Sequence, residues 1–324
     1  MRLPVEPLAQ EEKCETERSA YVLMTAAYNE EAYIEKTLQS VISQTVRPER
    51  WVVVSDNSAD RTDEIVQSYA AKYDFIRFLR VTKNAGHSFQ SKVTALHKGV
   101  HLLEGATYDF IGNIDADLSL EPFYFERLLD RFRQHSDLGV AGGFVYEDDG
   151  NGFRSRWFNS VNDVGHAAQL VRRQCYEAIG GYAVLKYGGE DWYAQTCAKM
   201  KGWRVEGIPE LKILHYRHTG GGSHPLRNAF RQGRMDYSLG SDPIFEVIKC
   251  LRRFREKPLL MGSLTRIAGF SWSHICRESR AVPNDVAAFL QREQRNRLLS
   301  LLYGGRFTRT VPLSRTSPDG SLQR

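Results

Sequence analysis

The chain has 324 residues, 42% of them hydrophobic and 26% charged, with a formal net charge of +5. These proportions are those of a soluble globular protein, and the charge is too mild to argue for nucleic acid, though it suits anionic surfaces or phosphorylated ligands. No uncharged apolar stretch approaches the ~18 residues that span a bilayer, which points to a soluble or peripheral protein.

Residues 1–18, with the polar run "EPLAQEEKCETERSA", read as a flexible leader without a secretory apolar core. From Ala20 the pattern becomes regular. "YVLMTAAY" reads as a buried strand, and "EEAYIEKTLQSVISQT" carries Ile34, Leu38, Val41 and Ile42 at helical spacing. "WVVVSD" predicts the next strand and "ADRTDEIVQSYAAKY" the next helix. "IRFLRV" and "SFQSKVTALHKGVHLL" repeat the pair, as do "YDFIGNI" and "EPFYFERLLDRFRQH". Alternation of this kind predicts βαβ units and a mostly parallel, Rossmann-like sheet with helices on both faces. After about Gly139 the alternation breaks. "GVAGGFVYE", "HAAQLVRR" and "WRVEGIPELKILHY" read as strands, "RQCYEAIGG" and "EDWYAQTCAKMKG" as helices, and "RHTGGGSHP" as a mobile loop. From Leu226 the chain is helical, basic and aromatic, and after Phe307 it is polar. The expected organisation is a leader (1–18), a sheet domain (19–225), a helical extension (226–306) and a tail (307–324). Five cysteines, Cys14, Cys175, Cys197, Cys250 and Cys276, form no CxxC pair and read as reduced thiols in a cytosolic setting.

Parallel sheets of this type bind ligands beyond the carboxyl ends of their strands. Three polar clusters, "YNE", "SDNS" and "DAD", fall at such ends. In "DAD", Asp115 and Asp117 end an apolar strand at two-residue spacing, so they point the same way. Hard oxygen ligands so placed suit Mg²⁺ or Mn²⁺ shared with a substrate's phosphates. The triplet alone is equally well a helix N-cap ahead of "SLEPFYFERLL". Tyr28 and Asp56 sit at two other strand ends, where a ring stacks on a nucleobase and a carboxylate bonds its edge; alone, each is as readily a turn residue.

In their order, "AAYNEEAYIEKTLQSVISQT", "SDNSADRTDEI", "DAD" and "GGEDWYAQ" resemble family 2 glycosyltransferases over residues 20–218. Ser55 stands where many relatives carry a second acid and Asn57 where many have Gly. The resemblance implies a GT-A fold and inverting transfer of a sugar from a UDP- or GDP-linked donor. It implies donor contacts at Ala27, Tyr28, Glu30, Asp56, Lys92, Asp115 and Ala116, and Mn²⁺ or Mg²⁺ held by Asp117 and His215. Lys92 would add charge near the diphosphate, unless it is an ordinary surface lysine. In "YGGEDWYA" the resemblance makes Asp191 the base that takes the acceptor's hydroxyl proton, with Glu190 as its neighbour; otherwise both acids serve the helix dipole. Trp192 offers a flat surface to an acceptor sugar or belongs to the core. His218 lies close to His215, and "HTGGGSHP" reads as a donor-closing lid or an inert connector.

The segment 247–277 interleaves Arg and Lys with Phe, Trp, Leu and Ile. It suits an interfacial helix pair on an anionic membrane, or a cap on the sheet domain. The expected acceptor is a glycan or a lipid-linked glycan of cell-surface polysaccharide synthesis, at the cytoplasmic face of the membrane. Polyprenyl-phosphate transfer and an inactive binding subunit are the alternatives, and the intact "DAD" and "GED" argue against the second.

Overall fold

A computed structural model describes residues 19–82, 89–156, 159–217, 224–253 and 260–302. The expected leader, residues 218–223 of the expected lid (His218 among them) and the polar tail lie outside the described residues. The elements run β1 (Tyr21–Ala27), α1 (Ile34–Ile42), β2 (Arg50–Asp56), α2 (Thr62–Ala70), β3 (Ile76–Val81), α3 (Phe89–Gly99), β4 (Phe110–Ile114), β5 (Leu118–Leu120) and α4 (Tyr124–Gln134). They continue with β6 (Leu138–Asp148), β7 (Phe153–Ser155), β8 (Ala168–Arg172), α5 (Arg173–Ile179), α6 (Glu190–Met200) and β9 (Arg204–His215). Helices α7 (Pro225–Ser238), α8 (Pro243–Arg252), α9 (Met261–Ile275) and α10 (Asn284–Leu302) complete the chain.

The strand order is β3-β2-β1-β4-β8-β6-β9-β5, with β7 paired to β6. Strands β3, β2, β1 and β4 are mutually parallel, and β8 enters antiparallel between β4 and β6. This is the mostly parallel α/β sheet that the alternation predicts. The hydrophobic runs of β1 and β2 are buried on both faces. Leu23, Trp51 and Val53 face Ile34 and Leu38 of α1 and Phe125 and Leu128 of α4, while Val22, Val52 and Val54 face Val93 and Leu96 of α3 and Ala194 and Ala198 of α6.

The sequence reading takes the chain from "DAD" straight to a helix, whereas a three-residue strand, β5, intervenes. Helix α4 begins only at Tyr124, with Phe123 at its cap position, so neither Asp115 nor Asp117 caps it. The insertion also dictates the shape of the sheet. Four strand spacings separate β4 from β5, ~19 Å in a flat sheet, yet the four steps from Ile114 to Leu118 reach at most ~14 Å. The sheet must therefore curl. Its bend lies at Gly143, where the β6–β9 register jumps from Ile208 to Lys212 and a Cβ would stand 2.3 Å from the Leu211 carbonyl oxygen.

Helices α7 and α9 cross through a pair of glycines. A Cβ on Gly233 would meet the Arg266 carbonyl at 1.9 Å, and one on Gly269 the Phe230 carbonyl at 2.1 Å. Beside this crossing Arg266 is buried between Asp236 and Glu246, to which Lys249 also pairs. Leu239, Val282 and Ala287 pack with Leu185 and Trp192 to join the helices to the sheet domain. Gly269→Ala should lower stability by about 1–3 kcal/mol, because overpacking outweighs alanine's better helix propensity. Urea denaturation tests this; an unchanged or raised midpoint would show that α7 and α9 are free to separate.

Candidate functional site

The carboxyl ends of β1 and β2 turn through asparagines in the left-handed region, Asn29 at φ 54° and Asn57 at φ 62°. A short polar side chain tolerates that conformation, which accounts for Asn57 at a position where glycine serves equally. The two turns are tied together. Ala59 N–H donates to Asn29 Oδ1 (2.8 Å), Asn29 N–H to Ser58 Oγ (3.2 Å) and Glu30 N–H to Thr62 Oγ1 (2.7 Å). Ser55 is buried and its hydroxyl lies 3.1 Å from that of Ser58, so this position braces the turn. Asp56 is buried at the end of β2, and Tyr28 is exposed at the rim. Ala27 and Ala116 bury their side chains in the core.

The curl brings the end of β9 onto the "DAD" turn. Leu118 of β5 pairs with His215, and Tyr216 N–H donates to the Asp117 carbonyl at 2.9 Å. One ligand atom from each of Asp115, Asp117 and His215 lies within 4.8 Å of the others. The His215 Nδ1–H donates to the Arg217 carbonyl at 2.5 Å, since a carbonyl only accepts. Nε2 is thereby turned to the acids, 3.2 Å from Asp117 Oδ1 and 4.0 Å from Asp115 Oδ2. A carbonyl-oriented imidazole beside two carboxylates is a donor set that fits a divalent cation. The acids also have side-chain partners: Lys92 Nζ lies 2.5 Å from Asp115 Oδ1, and Arg217 reaches Glu30 and lies 3.6 Å from Asp117.

These contacts sort the charges. Burial works against an ionised Asp117, but His215, Arg217 and Lys92 outweigh it and hold its pKa low. Burial likewise disfavours a charged His215, and its hydrogen bond and proximity to Asp117, with Asp115 behind, raise it. Glu30 is pushed up to about 8 by burial and the Asp117 charge, against the pull of Arg217. Acids this close do not all ionise together.

Helix α6 opens with the second acid pair, after Gly188 and Gly189 at φ 85° and 90°. Glu190 Oε1 lies 3.6 Å from His166 Nδ1. Burial acts to raise Glu190, but His166 and then Lys92 overcome it and pull it down to about 2. Asp191 accepts from Trp192 N–H at 2.7 Å, and burial together with the charge of Glu190 raises its pKa. Lys92 is raised against desolvation by Asp115, Glu190 and Asp191, so one ammonium serves both acid groups. Of the expected residues, Asp115, Asp117, His215, Glu30 and Lys92 are thus brought together, with Glu190 and Asp191 within electrostatic reach of Lys92. Trp192 packs on the cluster that joins the helices to the sheet domain. His166 and Arg217 are additions. No sequence motif marks either: His166 comes into play because the Asp115 N–H donates to Ala167 (2.7 Å), and Arg217 because of the β5–β9 pairing.

A curled, mostly parallel sheet with acids at its strand ends is the GT-A form of the α/β class. The chain is similar to a mannosyltransferase from Pyrobaculum calidifontis, solved with GDP-Man and Mn²⁺, at TM-score 0.52 and 17% identity over 88% of this chain and 81% of that one. It is similar to Staphylococcus aureus TarS (residues 1–349), solved with UDP-GlcNAc, at TM-score 0.51 and 15% identity over 87% and 81%. At those identities the likeness concerns the fold. Residues 23–186 match the family model described as glycosyl transferase family 2, and the chain belongs to that family. Among curated proteins it is 29% identical over 139 residues to the poly-beta-1,6-N-acetyl-D-glucosamine synthase of Staphylococcus epidermidis, 42% of this chain and 30% of that protein. The synthase of the same name from S. aureus is 28% identical over 130 residues, 39% of this chain and 29% of that protein. The match spans less than a third of either relative.

Proposed function

We propose that this family 2 glycosyltransferase is metal-dependent and inverting. It would move a sugar from a nucleoside-diphosphate sugar to a hydroxyl of a glycan or lipid-linked acceptor in cell-surface polysaccharide synthesis. The observation that carries this reading is the convergence of Asp115, Asp117 and His215 beside Lys92, whose charge is also felt by Asp191. Poly-N-acetylglucosamine synthases among the relatives, and neighbours bound to UDP-GlcNAc and GDP-Man, support the donor class. Asp56 and Tyr28 would take the base, and Lys92 the region of the diphosphate and donor sugar.

Asp117 and His215 would hold Mn²⁺ or Mg²⁺, with Asp115 on the outer side. The cation would supply charge neutralisation to the departing diphosphate. Calorimetry of a nucleoside diphosphate should show binding with Mn²⁺ that is largely lost in EDTA and in Asp117→Ala. Undiminished binding in both would end the metal reading.

Asp191 would accept the proton of the acceptor hydroxyl as that oxygen bonds to the anomeric carbon and the diphosphate leaves from the opposite face, which inverts the centre. A carboxylate with a raised pKa is the better base near neutrality. Asp191→Asn should therefore lower kcat by about 10²–10⁴-fold with nucleoside diphosphate affinity nearly unchanged. In the unmodified protein kcat should fall as pH drops through the raised Asp191 pKa, because only the deprotonated form acts. Transfer by Asp191→Asn at the normal rate would remove the base from this position.

The acceptor is read as lipid-linked, at the cytoplasmic face of a membrane, because of one face of the helical region. Among the described residues no helix is long and apolar enough to cross a bilayer. Yet among the described residues eight of the fourteen exposed large hydrophobic side chains lie between Ile244 and Ile275. Ile244, Val247 and Leu251 follow one stripe of α8, and Met261, Leu264 and Ile275 one stripe of α9; Val247 and Ile275 line a common groove. The single acid of these two helices, Glu246, is buried, while Arg252 and Arg277 are exposed. Because Lys249 and Arg266 are consumed internally, attachment would be mainly apolar, with a modest salt dependence. Co-sedimentation should show capture by anionic vesicles, stronger than by neutral ones and abolished in Leu251→Glu/Ile275→Glu. Failure of the unmodified protein to sediment with either kind would leave the face as part of a structural cap.

A further inference from the structure

His166 is 7% exposed, and both of its ring nitrogens lack a hydrogen-bond partner among the described residues. A buried imidazole without hydrogen-bond partners costs stability, and its retention calls for an explanation. Its surroundings fix the direction of the ring. Val164 N–H donates to Gln195 Oε1 (2.8 Å) and Gln195 Nε2 donates to the Val164 carbonyl (2.6 Å), which fastens the 164–168 segment to α6, the helix that starts with Glu190 and Asp191. On its other side the same segment holds the "DAD" strand. Asn113 Nδ2 donates to the His166 carbonyl at 2.7 Å, and Asp115 N–H to Ala167 at 2.7 Å. The Tyr182 ring stands edge-on to the imidazole, centroids 4.6 Å apart, and the Tyr182 hydroxyl is engaged by Gln169 at 2.6 Å. What remains open to the imidazole is the Glu190 carboxylate, at 3.6 Å.

We propose that His166 is a positioning residue: its imidazole fixes the Glu190 carboxylate and so reserves the adjacent Asp191 as the group that accepts the acceptor's proton. His166 has this role only if Asp191 is the base, as proposed above. The chemistry follows from proximity. Two neighbouring buried carboxyls compete for one proton. A donor held against Glu190 keeps the proton off it, and the Glu190 charge in turn makes Asp191 the more basic of the two. Lys92 from α3 and Arg231 from α7 also face Glu190, so the pair stays partly neutralised without His166; what is lost is the distinction between its members.

His166→Phe keeps a flat ring against Tyr182 and removes the donor. It should lower kcat by about tenfold, a fraction of the whole general-base effect, and move the acid limb of the kcat–pH profile to higher pH, since the pair loses a group that favours its ionised form. Nucleoside diphosphate affinity and melting temperature should stay close to those of the unmodified protein, and His166→Gln, which restores a donor, should recover part of the rate. The deciding measurement is a double-mutant cycle: if His166 acts through Glu190, its substitution should cost little in a Glu190→Gln background. An equal loss in that background, a normal rate and pH profile in His166→Phe, or a loss explained by collapsed donor binding would each overturn the role. Should His166→Phe fail to fold, the same cycle with His166→Gln decides. Asp191→Asn measured alongside separates the levels: if it is active, the base itself is misassigned, and if it is crippled while His166→Phe is normal, only His166 is.

Discussion

Mutual repulsion among Glu30, Asp115, Asp117, Glu190 and Asp191 is the constraint around which the polar part of this fold is arranged. Each is drawn partly out of water, where a carboxylate charge is expensive and a neighbouring one more so. The chain answers with basic side chains from separate elements and loops: Lys92 from α3, His215 at the end of β9 and Arg217 just after it, while the His166 imidazole ahead of β8 stands against Glu190. The result is a graded set of acids. Asp117 and Glu190 are held ionised, whereas Glu30 and Asp191 are pushed towards the protonated form. Such spreading of acidities over one site is common where acid–base chemistry is done, and it suits the transfer proposed above.

Much of this was legible in the sequence where a local rule suffices. Strands β1, β2 and β4 are largely apolar runs flanked by helical periodicity, and the polar residues at their ends follow from the direction of a parallel sheet. Asp56, Asp115 and Asp117 were readable for that reason. What was not legible depends on pairings between distant segments. Strands β5 and β7 are three residues each, too short to show a period. The arrival of His215 at Asp117, which only the family resemblance anticipated, needs the curl at Gly143, and a glycine in a strand does not say what passes close to it. The "DAD" triplet itself was ambiguous because a helix cap and a metal site share residue types; the intervening β5 decides against the cap.

The helical region teaches the same lesson through charge. Arg266 and Lys249 look like surface cations interleaved with apolar residues, the composition of an interfacial helix. In the fold both are turned inward onto Asp236 and Glu246, and the backbone glycines at 233 and 269 let α7 and α9 come close enough for that network to be sheltered. Composition reveals how many charges a segment has, but not which are already neutralised. The face that remains outward is more apolar and less basic than the sequence suggests.

The break in βαβ alternation after Gly139 then has a mechanical sense. A sheet continued in parallel would go on placing new polar loops further along one edge, away from the first. Inserting β8 antiparallel between β4 and β6, and bending β6 at Gly143, folds the later half back over the earlier one. Residues separated by about a hundred positions, Asp117 and His215, become neighbours, and the 164–168 segment is left in contact with the "DAD" strand on one side and α6 on the other. A displacement of that segment would shift both acid groups together rather than one relative to the other. If Asp191 and the Asp115–Asp117–His215 group serve the two ends of one transfer, as proposed above, a fixed distance between them matters as much as the placement of either.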